Sequence, residues 1–304
     1  MGDQIDETKQ VESLDPSQKL AQRQAARAAR GSMLQRLDEW MTQHPWHPRV
    51  FPFVVYVALL WASEPARMWA PWAFPVVYIL QCVVTAWLLW RYRKLTPELN
   101  WKFHWLAIPA GIVGLVGWIW LGDLMARLWF SDAGTDVLAE MGPALGWTTL
   151  SLRLLGMALV VPMFEELFFR SALLRSLYEP KPALASAIDL LSDLPVIGGW
   201  VGDTRLGKWA DQYDRPMQAQ FEKVPVGRIS WFSLTASCVL WCLLSHHPRD
   251  WPGTFVCGFA WGWLVWMTNR GEKKLGIGPV VWAHAITNAL LWGYVVSYGD
   301  WRFL

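Results

Sequence analysis

Seven apolar segments follow one another along the chain, separated by polar connections. Judged with a window of about 20 residues, they lie near 50–64, 72–91, 104–122, 147–169, 230–245, 253–268 and 277–298. Apolar stretches of this kind are typical of helices that cross a lipid bilayer. The pattern therefore predicts an all-α, polytopic membrane protein of about seven transmembrane helices.

The polar stretches divide the chain into three parts. Residues 1–48 form a basic arm, residues 49–145 hold the first transmembrane helices, and residues 146–304 form a second helical part. A segment at about 178–227 interrupts this second part with mixed charge, prolines and glycines, a composition typical of a solvated insert. The insert is a lid, a docking hairpin or a spacer, and the sequence does not choose among these roles.

Composition supports a membrane protein. Of the 304 residues, 54% are hydrophobic and 17% are charged, which is too apolar for an ordinary soluble domain. We assign the 24 tryptophans to interfacial belts and packing, without chemistry. The basic residues show no nucleic-acid-binding signature. The four cysteines lie inside apolar segments without zinc-finger spacing.

Basic residues favour alternate connections. They are frequent in the arm, at 91–102, after the fourth span and at 270–274, whereas 130–146 contains acidic residues and neither Lys nor Arg. Because cytoplasmic connections are enriched in Lys and Arg, this alternation predicts a cytoplasmic N-terminus and a C-terminus on the other side.

A pair of carboxylates interrupts the fourth apolar span. Glu165 and Glu166 are followed by Arg170, and a charge at the centre of a bilayer costs about 2.5–3.5 kcal/mol on insertion scales. One interpretation is a helix end at which Glu166 and Arg170 form an i,i+4 pair. The other is a functional site, since ionisable residues inside a membrane need partners and commonly serve chemistry.

Two later spans supply polar partners for these carboxylates. His246 and His247 follow the fifth span, and His284 and Asn288 lie one helical turn apart on one face of the seventh. Interhelical hydrogen bonding alone is an alternative explanation for such a pair. Near the end of the third span, Asp123 and Arg127 are expected to form a local ion pair.

Carboxylates combined with histidines are typical of two kinds of hydrolytic site. Zinc or another divalent metal accepts histidine and carboxylate ligands and activates a bound water. Alternatively, a buried glutamate acts as general base on a water, while histidine and asparagine donors stabilise the oxyanion. A metal would be held by Glu165, His246 and His284. The sequence leaves both chemistries open.

The three motifs, in this order, resemble the CPBP family of CAAX-processing and bacteriocin-processing (ABI) intramembrane proteases. The first motif is Glu165-Glu166-x-x-x-Arg170, the second is a histidine ending an apolar helix, and the third is His284-x-x-x-Asn288. The resemblance covers roughly residues 145–304 and is closest to the bacterial branch related to CAAX prenyl proteases. It implies an integral protein of a bacterial inner membrane.

The resemblance also implies a role for each residue. Glu165 resembles the glutamate that activates water, Glu166 its orienting neighbour and Arg170 a supporting arginine. His284 and Asn288 resemble the last histidine and the asparagine that helps to hold the oxyanion. The family's middle motif places an aromatic residue four positions before its histidine.

In this chain the residue four positions after Trp241 is Ser245 and not a histidine, so the register of the middle motif departs from the family pattern. We therefore prefer His246 as the second catalytic histidine and keep His247 as the alternative. Simple topology also places Glu165 near the cytoplasmic side and His246 at the opposite end of its span. The two side chains meet only if the fifth helix is short or tilted, or if a water-filled cavity reaches deep into the membrane.

Together these observations predict an intramembrane endopeptidase that acts within the lipid bilayer on a membrane-associated or prenylated peptide. Two alternatives remain, a non-catalytic membrane scaffold or chaperone of the same family and a proton-coupled transporter that uses the carboxylates and histidines as a relay. No inverted repeat with broken helices is evident, which argues against the transporter.

Overall fold

A computed structural model describes residues 32–70, 72–129, 134–192, 198–272 and 274–303, and every regular element in these ranges is helical. An all-α architecture is therefore confirmed. The helices are α1 Met33–Gln43, α2 His47–Trp69, α3 Ala73–Arg91, α4 Ala107–Leu128, α5 Val137–Met141, α6 Pro143–Ser176, α7 Pro180–Ser192, α8 Gly198–Asp203, α9 Arg205–Ala210, α10 Pro216–Lys223, α11 Trp231–Ser245, α12 Trp251–Asn269 and α13 Gly278–Tyr298.

The seven longest apolar helices correspond to the seven predicted spans. Four of them, α3, α4, α6 and α13, are long and apolar enough to cross a membrane, in the ranges that the structure describes. Helix α11 is a shorter apolar helix of 15 residues. These helices fit an integral, polytopic membrane protein, and the total of seven crossings stays a prediction.

The basic arm predicted at 1–48 lies outside the described residues as far as residue 31. Its described part contains α1, which Ser32 caps. The Ser32 hydroxyl accepts a hydrogen bond from the backbone N–H of Gln35, and the Gln35 side-chain oxygen accepts one from the backbone N–H of Ser32. The described residues up to His47 and those from Pro48 onward belong to two separate compact units. The helix packing and the candidate site both belong to the second unit.

Small residues bring the central helices of this second unit into close contact. A Cβ atom at Gly111 of α4 would lie 2.8 Å from the Ile286 side chain of α13. At Gly114 it would lie 2.7 Å from Oγ1 of Thr287. Glycine at these positions lets the backbones approach closely, as in other membrane helix interfaces. Helices α4, α12 and α13 therefore form the packed centre that α6 and α11 join.

One end of the helical unit is organised around Glu98, and we call it the Glu98 end. Arg49 donates to Glu98 with Nε–Oε1 of 2.6 Å, and the backbone N–H of Ile277 donates to the Glu98 carbonyl at 2.9 Å. Ser171 of α6 donates to the same carboxylate. The Glu98 end thus joins the connection before α4 to the first turn of α2, to α6 and to the connection before α13.

The insert predicted at 178–227 folds into helices α7 to α10 around a small apolar cluster that includes Ala185, Ile188 and Ala210. Arg175, near the end of α6, donates to the Val224 carbonyl at 2.7 Å, and the Gln220 side chain donates to the Ser176 carbonyl at 3.0 Å. The insert is therefore fastened to the Glu98 end.

The opposite end is organised around Arg302, and we call it the Arg302 end. Arg302 pairs with Asp123 at 2.7 Å and with Asp300 at 2.6 Å, and its carbonyl accepts from the Arg249 side chain. The expected Asp123–Arg127 pair is wrong, because the turn after α13 carries the Arg302 guanidinium to Asp123 from another part of the chain.

Candidate active site

Helix α6 departs from α-helical geometry on both sides of its two glutamates. Residues Gly156–Val160 and Leu167–Leu173 are wound as π-helix, and Pro162 lies between them. Proline has no backbone N–H and cannot complete the α-helical hydrogen-bond ladder, so a wider turn beside it is expected. Turns of π-helix recur at functional sites. The sequence motifs gave no indication of them.

Glu166 is completely buried and is held by two basic side chains. Its Oε1 lies 2.8 Å from Nδ1 of His284, and its Oε2 lies 3.3 Å from Nε of Arg170. A buried carboxylate is costly unless it is paired. Glu166 is therefore a structural partner for the first and last motifs, and its pair with Arg170 has the expected i,i+4 spacing.

Arg170 is enclosed by the helices around it. One of its terminal nitrogens donates to Ser237 of α11 at 3.3 Å, and its guanidinium lies 4.8 Å from the ring centroid of Trp241. Gly258 of α12 provides the space, because a Cβ there would meet the guanidinium and the Trp241 ring. Arg170, which the sequence predicted to be a supporting residue, thus links α6, α11 and α12 through its guanidinium.

Glu165 points in a different direction from its neighbour. Adjacent helical residues are rotated by about 100° around the axis, so the two carboxylates face different surroundings. Oε2 of Glu165 accepts a hydrogen bond from the indole N–H of Trp241 at 3.0 Å. The same side chain lines a cavity of about 220 Å³.

This cavity brings four of the five predicted catalytic residues together, namely Glu165, His246, His284 and Asn288. The fifth, Glu166, lies behind it. The remaining lining residues are Trp118, Met157, Val161, Trp241, Arg249, Asp250, Trp261, Thr287, Leu291, Arg302 and Phe303. His247 does not line the cavity; its side chain is exposed and accepts from the backbone N–H of Arg249.

The geometric conflict between Glu165 and His246 is resolved by the length of α11. This helix ends at Ser245, and its C-cap residue His246 turns toward the cavity beside the rings of Trp118 and Trp241. Nε2 of His246 is buried without a hydrogen-bond partner in the described part of the chain. Part of the ring reaches the cavity surface, yet enclosure lowers the pKa of His246, and the nearby His284 lowers it further.

Asn288 is fixed by the irregular part of α6. Its Nδ2 donates to the Met157 carbonyl at 2.8 Å, inside the first π-helical turn. The neighbouring Thr287 donates to the carbonyls of Gly111 and Ala283. Asn288 therefore lines the cavity in a defined orientation, with one further N–H on the same nitrogen.

Two tryptophans belong to the site, although the sequence assigned them no chemistry. Trp241 donates to Glu165, and the Trp261 ring lies against the His284 imidazole with centroids 4.4 Å apart. Both side chains are almost fully buried. The spacing Trp241-x-x-x-Ser245 next to His246 was the signal available for Trp241, because the family pattern expects an aromatic residue near that position.

The donors do not form a metal site in this arrangement. No group of three or more His, Cys, Asp or Glu side chains in the described residues is placed to hold a metal ion. Nδ1 of His284 is engaged by Glu166, and Glu165 is hydrogen-bonded to an indole. As placed here, Glu165, His246 and His284 are not arranged as zinc ligands are, and a metal held by them stays a prediction.

Comparison with known protein families gives a match over part of the chain. Residues 147–290 match the family model described as type II CAAX prenyl endopeptidase, Rce1-like. No curated protein and no solved structure matches the chain. The matched segment begins early in α6 and ends inside α13, so it contains all three motifs. The resemblance to CAAX-processing proteases is confirmed for this segment.

Proposed function

Because residues 147–290 match the Rce1-like type II CAAX prenyl endopeptidases, we propose that this protein is an intramembrane endopeptidase with Glu165 as its general base. The observation that carries the proposal is the division of labour between the adjacent glutamates. Glu166 is occupied by His284 and Arg170, whereas Glu165 faces a cavity that His246, His284 and Asn288 also line.

In the proposed reaction, Glu165 takes a proton from a water molecule in the cavity. The water oxygen forms a bond to the carbonyl carbon of the scissile peptide, and the carbonyl oxygen becomes an oxyanion. Glu165 then gives the proton to the peptide nitrogen as the C–N bond breaks. General acid–base catalysis by one positioned carboxylate contributes about 10²–10⁴-fold to such a reaction.

The oxyanion needs hydrogen-bond donors that are already oriented. His246 and the second N–H of Asn288 are the donors we assign, since both line the cavity with Glu165. Removing one such donor in other hydrolases costs about 10²–10³-fold in turnover. His284 is held through Nδ1 by Glu166, which fixes the orientation of the ring beside Glu165.

The substrate class follows from the surroundings and the family. The cavity lies between apolar helices, so the scissile bond belongs to a peptide that is itself associated with the membrane. We include prenylated peptides in this class because of the family match. Zinc or another divalent metal remains a separate proposal, and no step of the proposed reaction depends on it.

The test is a cleavage assay with purified protein in detergent and in liposomes, using a library of membrane-anchored peptides with and without a prenyl group. Glu165→Gln and His284→Ala are compared with wild type and with Glu222→Gln, the same chemical change on the exposed face of α10. We expect cleavage by wild type and Glu222→Gln and none by the other two variants.

Two further results separate the alternatives. Loss of activity with a chelator and recovery with zinc would replace the glutamate mechanism with a metal-dependent one. If folded wild type cleaves nothing, or if Glu165→Gln remains active, the endopeptidase assignment is wrong and a non-catalytic membrane scaffold takes its place.

A further inference from the structure

The insert of helices α7 to α10 keeps apolar side chains on its outer surface. Leu184, Ala187 and Leu191 of α7 are exposed, and their spacing of three and four residues places them along one face of the helix, which we call the α7 stripe. A different face of α7 packs through Ala185 and Ile188 into the small apolar cluster of the insert. Helix α7 therefore carries a second apolar face that the packing of the insert leaves uncovered.

The two short helices that share this cluster also expose large apolar side chains. Trp200 of α8 is 76% exposed, and Leu206 of α9 is exposed as well. Val201 and Ala210, from the same two helices, belong to the cluster beneath. An apolar surface to which several elements contribute is typical of an interaction site.

The charged side chains leave the α7 stripe apolar. Asp189 lies two residues before Leu191 and therefore about 160° around the helix axis from it. Exposed charges of both signs occur near Leu206, namely Asp203, Arg205, Lys208 and Asp211. Because neither sign dominates, the surface favours an apolar partner over an acidic or a basic one.

The insert is attached at a level where exposed aromatic side chains surround the helical unit. Ser230, the N-cap of α11, donates to the carbonyl of Tyr178 at 2.6 Å, so α7 and α11 begin close together. The exposed aromatic side chains of the first turn of α11 and of the connection before α4, at the Glu98 end, form what we call the aromatic belt: Trp231, Phe232, Trp101, Phe103 and Trp105. Aromatic belts of this kind mark the headgroup level of a bilayer.

We propose that the exposed apolar surface of the insert lies in the headgroup region of the bilayer and anchors the insert there. Lipid is the occupant because the insert begins and ends beside the aromatic belt. A helix with one uncovered apolar face lies in the membrane interface with that face buried by about 5–10 Å. This anchoring role goes beyond the proposed reaction and does not depend on it.

The depth of the insert is tested with the fluorescent probe NBD, attached to single introduced cysteines of the full-length protein in liposomes. Leu184→Cys, Leu191→Cys and Leu206→Cys place the probe on the apolar surface. Asp211→Cys and Glu222→Cys place it at exposed polar positions of the same insert. The unmodified protein, with its four native cysteines, gives the background.

We expect blue-shifted emission at the three apolar positions, with quenching by doxyl-labelled lipid and little quenching by aqueous iodide. The two polar positions should show water-like emission and strong quenching by iodide. Water-like emission at the three apolar positions overturns the proposal. Blue-shifted emission without quenching by the doxyl lipid also overturns it and indicates a protein partner, such as a second copy of this chain.

A charged variant tests whether the α7 stripe holds the insert at the membrane. Leu184→Asp combined with Leu191→Asp places two carboxylates on the stripe, and a probe at position 206 reports the result. Gln212→Asp combined with Lys223→Gln makes the same change of net charge at exposed polar positions. With matched melting curves, we expect the first variant alone to lose quenching by lipid and to gain quenching by iodide. Unchanged quenching in that variant overturns the anchoring role of the stripe.

Discussion

Nδ1 of His284 lies 2.8 Å from Oε1 of Glu166, a residue 118 positions earlier in the chain. This contact joins the first motif to the last across the interface of α6 and α13. It also occupies Glu166, whose second oxygen faces Arg170. Glu165 therefore remains the carboxylate directed into the cavity, with Trp241 as its hydrogen-bond donor.

Trp241→Phe is expected to lower turnover while leaving the fold intact. The substitution keeps an aromatic ring but removes the N–H that orients the Glu165 carboxylate. A hydrogen bond to a charged group contributes about 1.5–3 kcal/mol, so we expect kcat to fall by about tenfold or more with little change in KM. Steady-state kinetics and the melting temperature measure the two effects.

The control for this variant is Trp261→Phe. The Trp261 indole N–H has no hydrogen-bond partner in the described part of the chain, so the substitution removes no bond seen there. Equal losses of turnover in the two variants would contradict an orienting role for Trp241.

His246→Ala is expected to lower cleavage strongly, and His247→Ala is expected to retain it. His246 lines the cavity, whereas the adjacent His247 is exposed outside it. The loss for His246→Ala should be about 10²–10³-fold, as for removal of an oxyanion donor. The two variants are compared in the same assay after matched melting curves. Retained activity in His246→Ala with loss in His247→Ala would reverse the assignment.

Arg170→Met is expected to destabilise the protein strongly. It leaves the Glu166 charge buried with a single remaining partner, and breaking a buried ion pair typically costs about 3–5 kcal/mol. Equilibrium unfolding in mixed detergent micelles measures the free energy of unfolding. Adding Glu166→Gln removes the unpaired charge, so the double variant should lose less than the sum of the two single variants. Strict additivity would show that the two side chains do not interact.

We expect the protein to lose stability in acid because the carboxylate of Glu98 is paired with Arg49. Burial alone would raise the pKa of this carboxyl, but the hydrogen bond and charge of Arg49, together with the Ser171 hydroxyl, hold it below the ordinary value of 4.5. The stabilisation is therefore fully present above this ordinary value and is lost as the pH falls through the lower pKa of the folded protein.

The measurement is the melting temperature of wild type and Glu98→Gln between neutral pH and pH 3. The gap between them should be largest near neutral pH and should shrink in acid, while Glu222→Gln should follow wild type throughout. A gap that is independent of pH would show that the Glu98 charge does not contribute.

The sequence predicted the helical elements and four of the residues that line the cavity, because both depend on local pattern. An apolar run of sufficient length forms a helix whatever its partners, and ionisable residues inside such runs stand out. Glu165, His284 and Asn288 were identified in this way, and the preference for His246 over His247 agrees with where the two side chains lie.

Features that depend on how helices meet were not predictable. The π-helical turns arise where α6 must satisfy Pro162 and pack against α3 and α13, and no local residue pattern specifies them. Trp241 is one of 24 tryptophans, and only the fold reveals that its N–H faces Glu165. The Asp123–Arg127 prediction failed for the same reason, because Arg302 arrives from the distant end of the chain.

The shortness of α11 affects the lipid as well as the site. Its 15 residues extend only about 22 Å at 1.5 Å per residue, against a hydrocarbon core of about 30 Å. One face of this helix, including Val239, Leu243 and Leu244, is exposed on the surface of the protein. If α11 crosses the membrane as predicted, acyl chains beside that face are too long for it, and local thinning of the bilayer is one way to match the two lengths. Membrane thickness thus becomes a variable of the reaction, and lipids with short chains should suit this protein better than lipids with long ones.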